Sequence, residues 1–307
     1  MPKQQEILVG MGGWDLVPFS GVFYPSSVKK GFRKLEFYSR HFDLVEINAT
    51  FYNASFSPNQ VKQWLLDVSN NPRFIFTVKL FKAFTHTMDA TKGDADNVRR
   101  ILGTLAGDGR LGGLVVQFPT SFTNIHERRL YLVRLRKAFE PHRVFVELRH
   151  RSWHSPLIVR MFQENDILPI NVDLPQINRH MPFTAYSRND AAYFRMMGRN
   201  EDSWNHPWRV EGSGSRMASD RYLYLYSVQE LGVLVRILRA LQPAPETTYV
   251  VFHNDPNAHS LVNGFQLRKL LNPKQRLTIP EQLLKTFPDL ESVGNIGEPE
   301  YSLFNNP

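Results

Sequence analysis

Eight short runs rich in Val, Ile and Phe recur along this chain, at 8–9, 43–48, 74–79, 114–118, 144–148, 167–172, 192–196 and 249–252. No other feature restricts the fold so strongly, because most neighbouring runs are separated by a segment of helical spacing. Those segments also carry helix punctuation. Ser57-Pro58-Asn59-Gln60 reads as a capping box with proline at the first helical position, and Ser155-Pro156 repeats the cap and the proline. Ser227 with Glu230 is a second box, opening a helix over 228–241. Further helices are predicted at 29–41, 94–105, 125–139 and 258–271. Only 174–190, broken by Pro175 and Pro182, leaves no room for a full one.

Strands alternating with helices form parallel βαβ units, and eight strands close a barrel. The predicted fold is an α/β single (β/α)8 TIM barrel over 7–271 with a degenerate sixth helix. A short C-terminal extension follows at 272–307, comprising one helix and a poorly ordered tail from Pro288. A doubly wound dinucleotide fold is the rival. However, Gly10-Met11-Gly12-Gly13 is followed by Trp14, Asp15 and Pro18 rather than by a helix start, so the context of a nucleotide fingerprint is missing.

Composition narrows the class. The chain has no Cys, which excludes a disulfide framework, a thiolate nucleophile and cysteine metal sites. No stretch of 18 apolar residues occurs, and Met1–Gly13 lacks the pattern of a signal peptide, so a cytoplasmic protein without a membrane span is expected. The formal charge of +8 favours anionic partners. The densest basic stretches, 29–34 and 134–137, fall on helical segments and read as solvated outer faces, so nucleic acid is possible but not implied.

The apolar runs end in polar residues. Glu46 and Asn48 close the second, Lys79 the third, Gln117 the fourth, Glu147 and Arg149 the fifth, Asn171 and Asp173 the sixth, Arg195 the seventh, His253 and Asn254 the eighth. Side chains alternate along a strand, so Glu46 with Asn48, and Glu147 with Arg149, share the face opposite Val45, Ile47, Val146 and Leu148. That places the polar set inside the barrel at its C-terminal mouth, where barrel enzymes carry their chemistry. Buried charges need partners or a ligand; the alternative is a structural ion network plugging the barrel.

Glu46 and Glu147, roughly opposite one another, are candidate base and acid. Lys79, Arg149 and Arg195 would lower both carboxylate pKa values and suit a phosphate or carboxylate ligand. Glu46, Glu147, Asp173 and His253 have the chemistry of metal ligands, but the neighbouring cations would repel an ion. No cofactor is expected. His86 and His259 read as surface or capping residues. The long connection 198–226, with Trp204, Trp208, Arg199, Arg209, Arg216 and Tyr222 diluted by Glu201, Asp202, Glu211 and Asp220, reads as a lid.

The strand ends also carry a family pattern: Gly12-Gly13-Trp14 with 21–25, the block Val45-Glu-Ile-Asn-Ala-Thr-Phe-Tyr52, Phe76-Thr-Val-Lys79 with Thr85-His86, Val116-Gln-Phe-Pro119, Val146-Glu-Leu-Arg149 with Ser152-Trp153, Phe194-Arg195 with Gly198, and Phe252-His-Asn254. Over roughly Ile7 to Leu271 the chain resembles the YecE-like family, catalogued as domain of unknown function 72. The resemblance implies a barrel related in shape to sugar-isomerase and apurinic-endonuclease barrels, and no established reaction. The chain departs from the pattern at Met196-Met197-Gly198, at Thr120 and at Asp255-Pro-Asn-Ala-His259. Taken together, a metal-independent hydrolase or lyase on a small anionic or phosphorylated ligand is expected. Glu46 and Glu147 would be its catalytic pair. Asn48, Tyr52, Lys79, Gln117, Arg149, Trp153, Asp173, Arg195 and Asn254 would bind substrate. The alternatives are a non-catalytic or nucleic-acid-binding barrel and a divalent-metal hydrolase.

Overall fold

A computed structural model describes residues 5–28, 30–177, 179–205 and 218–297. The chain forms an α/β TIM barrel. Its strands are β1 (Glu6–Met11), β2 (Leu44–Ile47), β3 (Ile75–Lys79), β4 (Leu111–Gln117), β5 (Val144–Glu147), β6 (Leu168–Pro169), β7 (Asn171–Asp173), β8 (Ala191–Met196) and β9 (Thr247–Phe252). All pair in parallel in the order β6-β5-β4-β3-β2-β1-β9-β8-β7. The sixth barrel strand is split: Leu168 and Pro169 pair with β5, while Asn171 to Asp173 pair with β8. Pro169 has no N–H to give to the ladder, and the strand changes partners at Ile170. Because β6 and β7 are joined through that one residue, the cylinder closes. Each of the eight apolar runs therefore lies on a barrel strand.

The helices are α1 (Lys34–Ser39), α2 (Ala49–Tyr52), α3 (Pro58–Asp67), α4 (Lys92–Gly107), α5 (His126–Ala138), α6 (Pro156–Glu164), α7 (Glu201–Asn205), α8 (Val228–Arg239), α9 (His259–Leu271) and α10 (Glu281–Thr286). Punctuation sets several boundaries. Ser155 accepts a hydrogen bond from the Ile158 N–H, and Ser227 with Glu230 forms a reciprocal box. Ser57 accepts from the Gln60 N–H, although the return bond from the Gln60 side chain is not made, so this cap is half a box. Thr91 and Asp94 form a full box that lengthens α4 to start at Lys92. The helix expected from Lys29 begins instead at Lys34, because Gly31 turns the chain at φ 91°. No helix follows β7 among the described residues. The connection is tied down by Asn171, whose amide donates to the carbonyls of Tyr186 and Tyr193 and accepts from Thr184 Oγ1 and the Tyr186 N–H.

Alternation along the strands builds two apolar layers. Val45, Ile47, Val78, Val116, Val146 and Phe194 face outward into the layer under the helices, while Leu44, Val115, Phe145, Ile170, Tyr193 and Tyr249 fill the cylinder. Phe145, Tyr193 and Tyr249 pack together with ring centroids 4.7–5.7 Å apart and form its aromatic floor. The approach of β4 to β5 requires glycine: a Cβ on Gly113 would lie 2.7 Å from the Phe145 ring and 3.0 Å from the Arg143 carbonyl oxygen.

Beyond Leu271 the chain carries more order than a helix and a tail. Thr278–Ile279 pairs with Asn295–Ile296, and Leu290, in a 3-10 turn over Pro288–Ser292, is fully buried. Residues 298–307 lie outside the described residues, as do Trp208, Arg209, Glu211 and Arg216 of the expected lid. Among the described residues no helix is long and apolar enough to cross a membrane.

Candidate functional site

Above the aromatic floor, the inward positions become charged. Glu46 lies on β2, Lys79 on β3, Glu147 on β5 and Arg195 on β8, with Arg149 two residues beyond Glu147 and His253 directly after β9. Arg195 is the hub. Its Nη2 donates to Glu46 Oε1 at 2.8 Å, its Nη1 to Glu147 Oε2, and its Nε to His253 Nε2 at 3.1 Å. Arg149 Nε donates to Glu147 Oε1 at 2.5 Å. The Tyr193 hydroxyl donates to Glu46 Oε2 at 2.8 Å and in turn accepts from Thr77 Oγ1 at 2.9 Å.

This lattice fixes protonation states. Burial alone would raise both carboxyls. For Glu46 the Arg195 guanidinium, with His253 and Lys79, more than reverses that and holds it well below the usual carboxylate range. For Glu147, Arg149 and Arg195 together bring it down to about 2. Both are acceptor-only anions with their oxygens already engaged, a poor state for the acid and base roles expected of them. Burial, aided by Arg195, lowers His253 to about 4. The ring is therefore neutral, and its Nε2 accepts from Arg195 rather than forming an ion pair with Glu46 Oε1 at 3.4 Å.

Lys79 is the exception. Among the described residues its ammonium makes no hydrogen bond and no ion pair; its neighbour is the Phe51 ring, 4.4 Å from Nζ. Burial, then Arg195, lowers it to about 7, against the opposing pull of Glu46 and Glu147. Arg149 is also incompletely satisfied. Neither of its Nη groups has a hydrogen-bond partner among the described residues, and the Trp204 ring lies over the guanidinium at 5.9 Å.

The remaining expected site residues divide. Gln117 faces inward beside Glu147, its register partner. Asn48 donates to the Gly12 carbonyl at 2.5 Å, and its buried Oδ1 is left without a partner. Gly12 has to be glycine, since a Cβ there would sit 2.3 Å from the His253 ring and 2.9 Å from Asn48 Nδ2. Four others do not join the cluster. Tyr52 is 72 % exposed at the end of α2; Phe51 approaches the mouth in its place. Trp153 is buried, stacked on Phe122 at 5.5 Å and donating to the Phe122 carbonyl. Asp173 alternates with the inward Val172 and Leu174, so it faces outward, where it pairs with Arg199 at 2.9 Å. Asn254 follows the inward His253 and bonds Asn263 and the Tyr224 carbonyl.

The structure adds residues that sequence reasoning left aside. Tyr193 could have been found, because it alternates with Arg195 on the inward face. Phe51 and His86 could not, since their meeting depends on the loop after β3; their rings are 4.9 Å apart. His86 is exposed, and burial, Lys79 and Arg149 lower its pKa. Asp255 is pushed up to about 7 by burial. With His253, His259, Leu16 and Phe287 it helps to line a cavity of about 890 Å³ at the mouth, between the segments that follow β1 and β9.

A family profile described as "Protein of unknown function DUF72" matches residues 8–286. The UPF0759 protein YunF of Bacillus subtilis is 28 % identical over 290 residues, covering 90 % of this chain and 99 % of that protein. Among solved structures, a DUF72 family protein from Thermotoga maritima superposes with a TM-score of 0.73 at 29 % identity, over 87 % of this chain and 99 % of that one. One from Enterococcus faecalis gives 0.73 at 25 % identity, over 87 % and 95 %.

Proposed function

The chain belongs to the DUF72 family of proteins of unknown function, and from that premise we propose that its barrel mouth is an enzyme site for a small phosphate- or carboxylate-bearing substrate, worked on by metal-independent lyase or hydrolase chemistry. The observation that carries the reading is the pair of cationic groups left open beside a closed lattice. Arg195 and the Arg149 Nε engage both carboxylates, whereas Lys79 and the two Arg149 Nη groups remain without partners among the described residues. A planar guanidinium edge of this kind takes an oxyanion through paired, charge-assisted hydrogen bonds.

In this reading Glu46 and Glu147 orient the arginines. Lys79, titrating near neutrality, is the group able to take or give a proton at working pH. The same geometry weighs against a divalent ion. Glu46, Glu147 and His253 are already hydrogen-bonded to Arg195, and among the described residues no group of three or more His, Asp or Glu is arranged to hold a metal.

Calorimetric titration with sulfate and inorganic phosphate at neutral pH tests the anion site. Saturable binding is expected, weakened roughly tenfold or more in Arg149→Met, which corresponds to about 1.4 kcal/mol or more. Binding of equal strength in wild type and variant would remove Arg149 from the site.

A further inference from the structure

We infer that Lys79 is an amine nucleophile that condenses with the carbonyl of the substrate, so that the substrate class is an aldehyde or ketone carrying a carboxylate or phosphate. This rests on the anion-site reading above and adds the reacting group. The argument begins with charge. The interior cluster contains two guanidinium groups, Arg149 and Arg195, and two carboxylates, Glu46 and Glu147, linked to one another by three short donor–acceptor contacts among which Lys79 takes no part. It is balanced without the lysine. For a further ammonium the pull of both carboxylates is opposed by the two guanidinium groups, and removal from water penalises the charged form.

The surroundings suit addition to a carbonyl. Nζ sits at the end of β3, on the mouth side of the cylinder, against the face of Phe51, which shields one side from water. His86 packs against that same ring, and its Nδ1 is held by Thr85 Oγ1 at 2.8 Å. The amine nitrogen adds to the carbonyl carbon, giving a carbinolamine. Its hydroxyl then leaves as water with a proton delivered through His86, and the nitrogen lone pair closes the C=N bond. The product is a protonated imine, with one proton drawn from solvent and no oxidant or reductant needed. The imine places a positive charge where the lattice has no counter-charge, and the substrate's own anionic group, at the open Nη edge of Arg149, supplies it.

The test uses the intact chain with glyoxylate and sodium cyanoborohydride at neutral pH, and peptide mass spectrometry to follow each lysine. Lys79 is expected to be alkylated on the order of a hundredfold faster than the exposed Lys285, because burial keeps a large share of the Lys79 amine neutral. Sulfate is expected to slow that labelling. Fast labelling of Lys79 that sulfate does not affect would uphold the amine and overturn the anion site. Labelling of Lys79 no faster than Lys285, with sulfate binding intact, would overturn the imine alone. Lys79→Met supplies the background, and its circular dichroism confirms that any loss is not loss of fold.

Discussion

Arg195→Met is expected to lower the unfolding free energy by roughly 3–5 kcal/mol at pH 7, because in a low-dielectric interior it leaves Glu46 without its guanidinium and Glu147 with Arg149 alone. Glu46 and Glu147 are both fully buried, and each has an oxygen on the guanidinium. The pH dependence identifies the cause. In the wild-type protein Glu147, depressed from 4.5 to about 2, contributes stability that is present above about pH 4.5 and lost as pH falls through 2. In the variant the remaining carboxyls shift the other way, so the deficit is largest near pH 7 and shrinks as acid protonates them. Urea unfolding at pH 7 and pH 4 measures this. Adding E46Q and E147Q to the Arg195→Met chain should return part of the loss. A deficit that is equal at the two pH values, or below about 1 kcal/mol, would show that the lattice does not hold these carboxylates as described.

Lys79→Met should act in the opposite direction, stabilising the fold while removing its proposed chemistry. The lysine is depressed from 10.5 to about 7. For a group lowered in the folded state, stability is fully present above the unfolded value, here about 10.5, and is lost as pH falls towards 7. Methionine escapes that penalty. Its advantage should be roughly 2–4 kcal/mol at pH 7, after allowance for the partial exposure of the side chain, and should vanish towards pH 10. Thermal melts across that range read it directly. A methionine variant less stable than wild type at pH 7 would mean that the ammonium has a counter-charge. A gain in stability accompanying a loss of reactivity is the usual signature of a strained functional group.

Much of this candidate site is legible in the sequence. Alternation on a strand is simple enough that Glu46, Lys79, Glu147, Arg149 and Arg195 could be placed on the inner face of a barrel mouth from spacing alone. What spacing does not contain is pairing. That Arg195 would bridge both carboxylates, leaving Lys79 outside the exchange, depends on strands β2, β5 and β8 meeting across the lumen. The alternation rule also explains its own failures. His253 and Asn254 are consecutive and cannot both point inward, so one had to leave the cluster, and Asn254 did. Tyr52 and Trp153 entered through motif position, which says nothing about direction; a four-residue helix turns the first outward, and a stack on Phe122 buries the second. The helix caps were legible because a serine or threonine ahead of a helical run has one local use.

The split sixth strand has a consequence for reading barrels generally. Where a helix roofs a strand, the outward residues must be aliphatic, as Val45, Ile47 and Val146 are. The sixth unit has no such roof, and its outward positions are Asn171 and Asp173, one fastening the connection that replaces the helix and the other pairing with Arg199. The missing shell is thus recorded in the wall beneath it: polar outward positions on a barrel strand mark where its armour is absent.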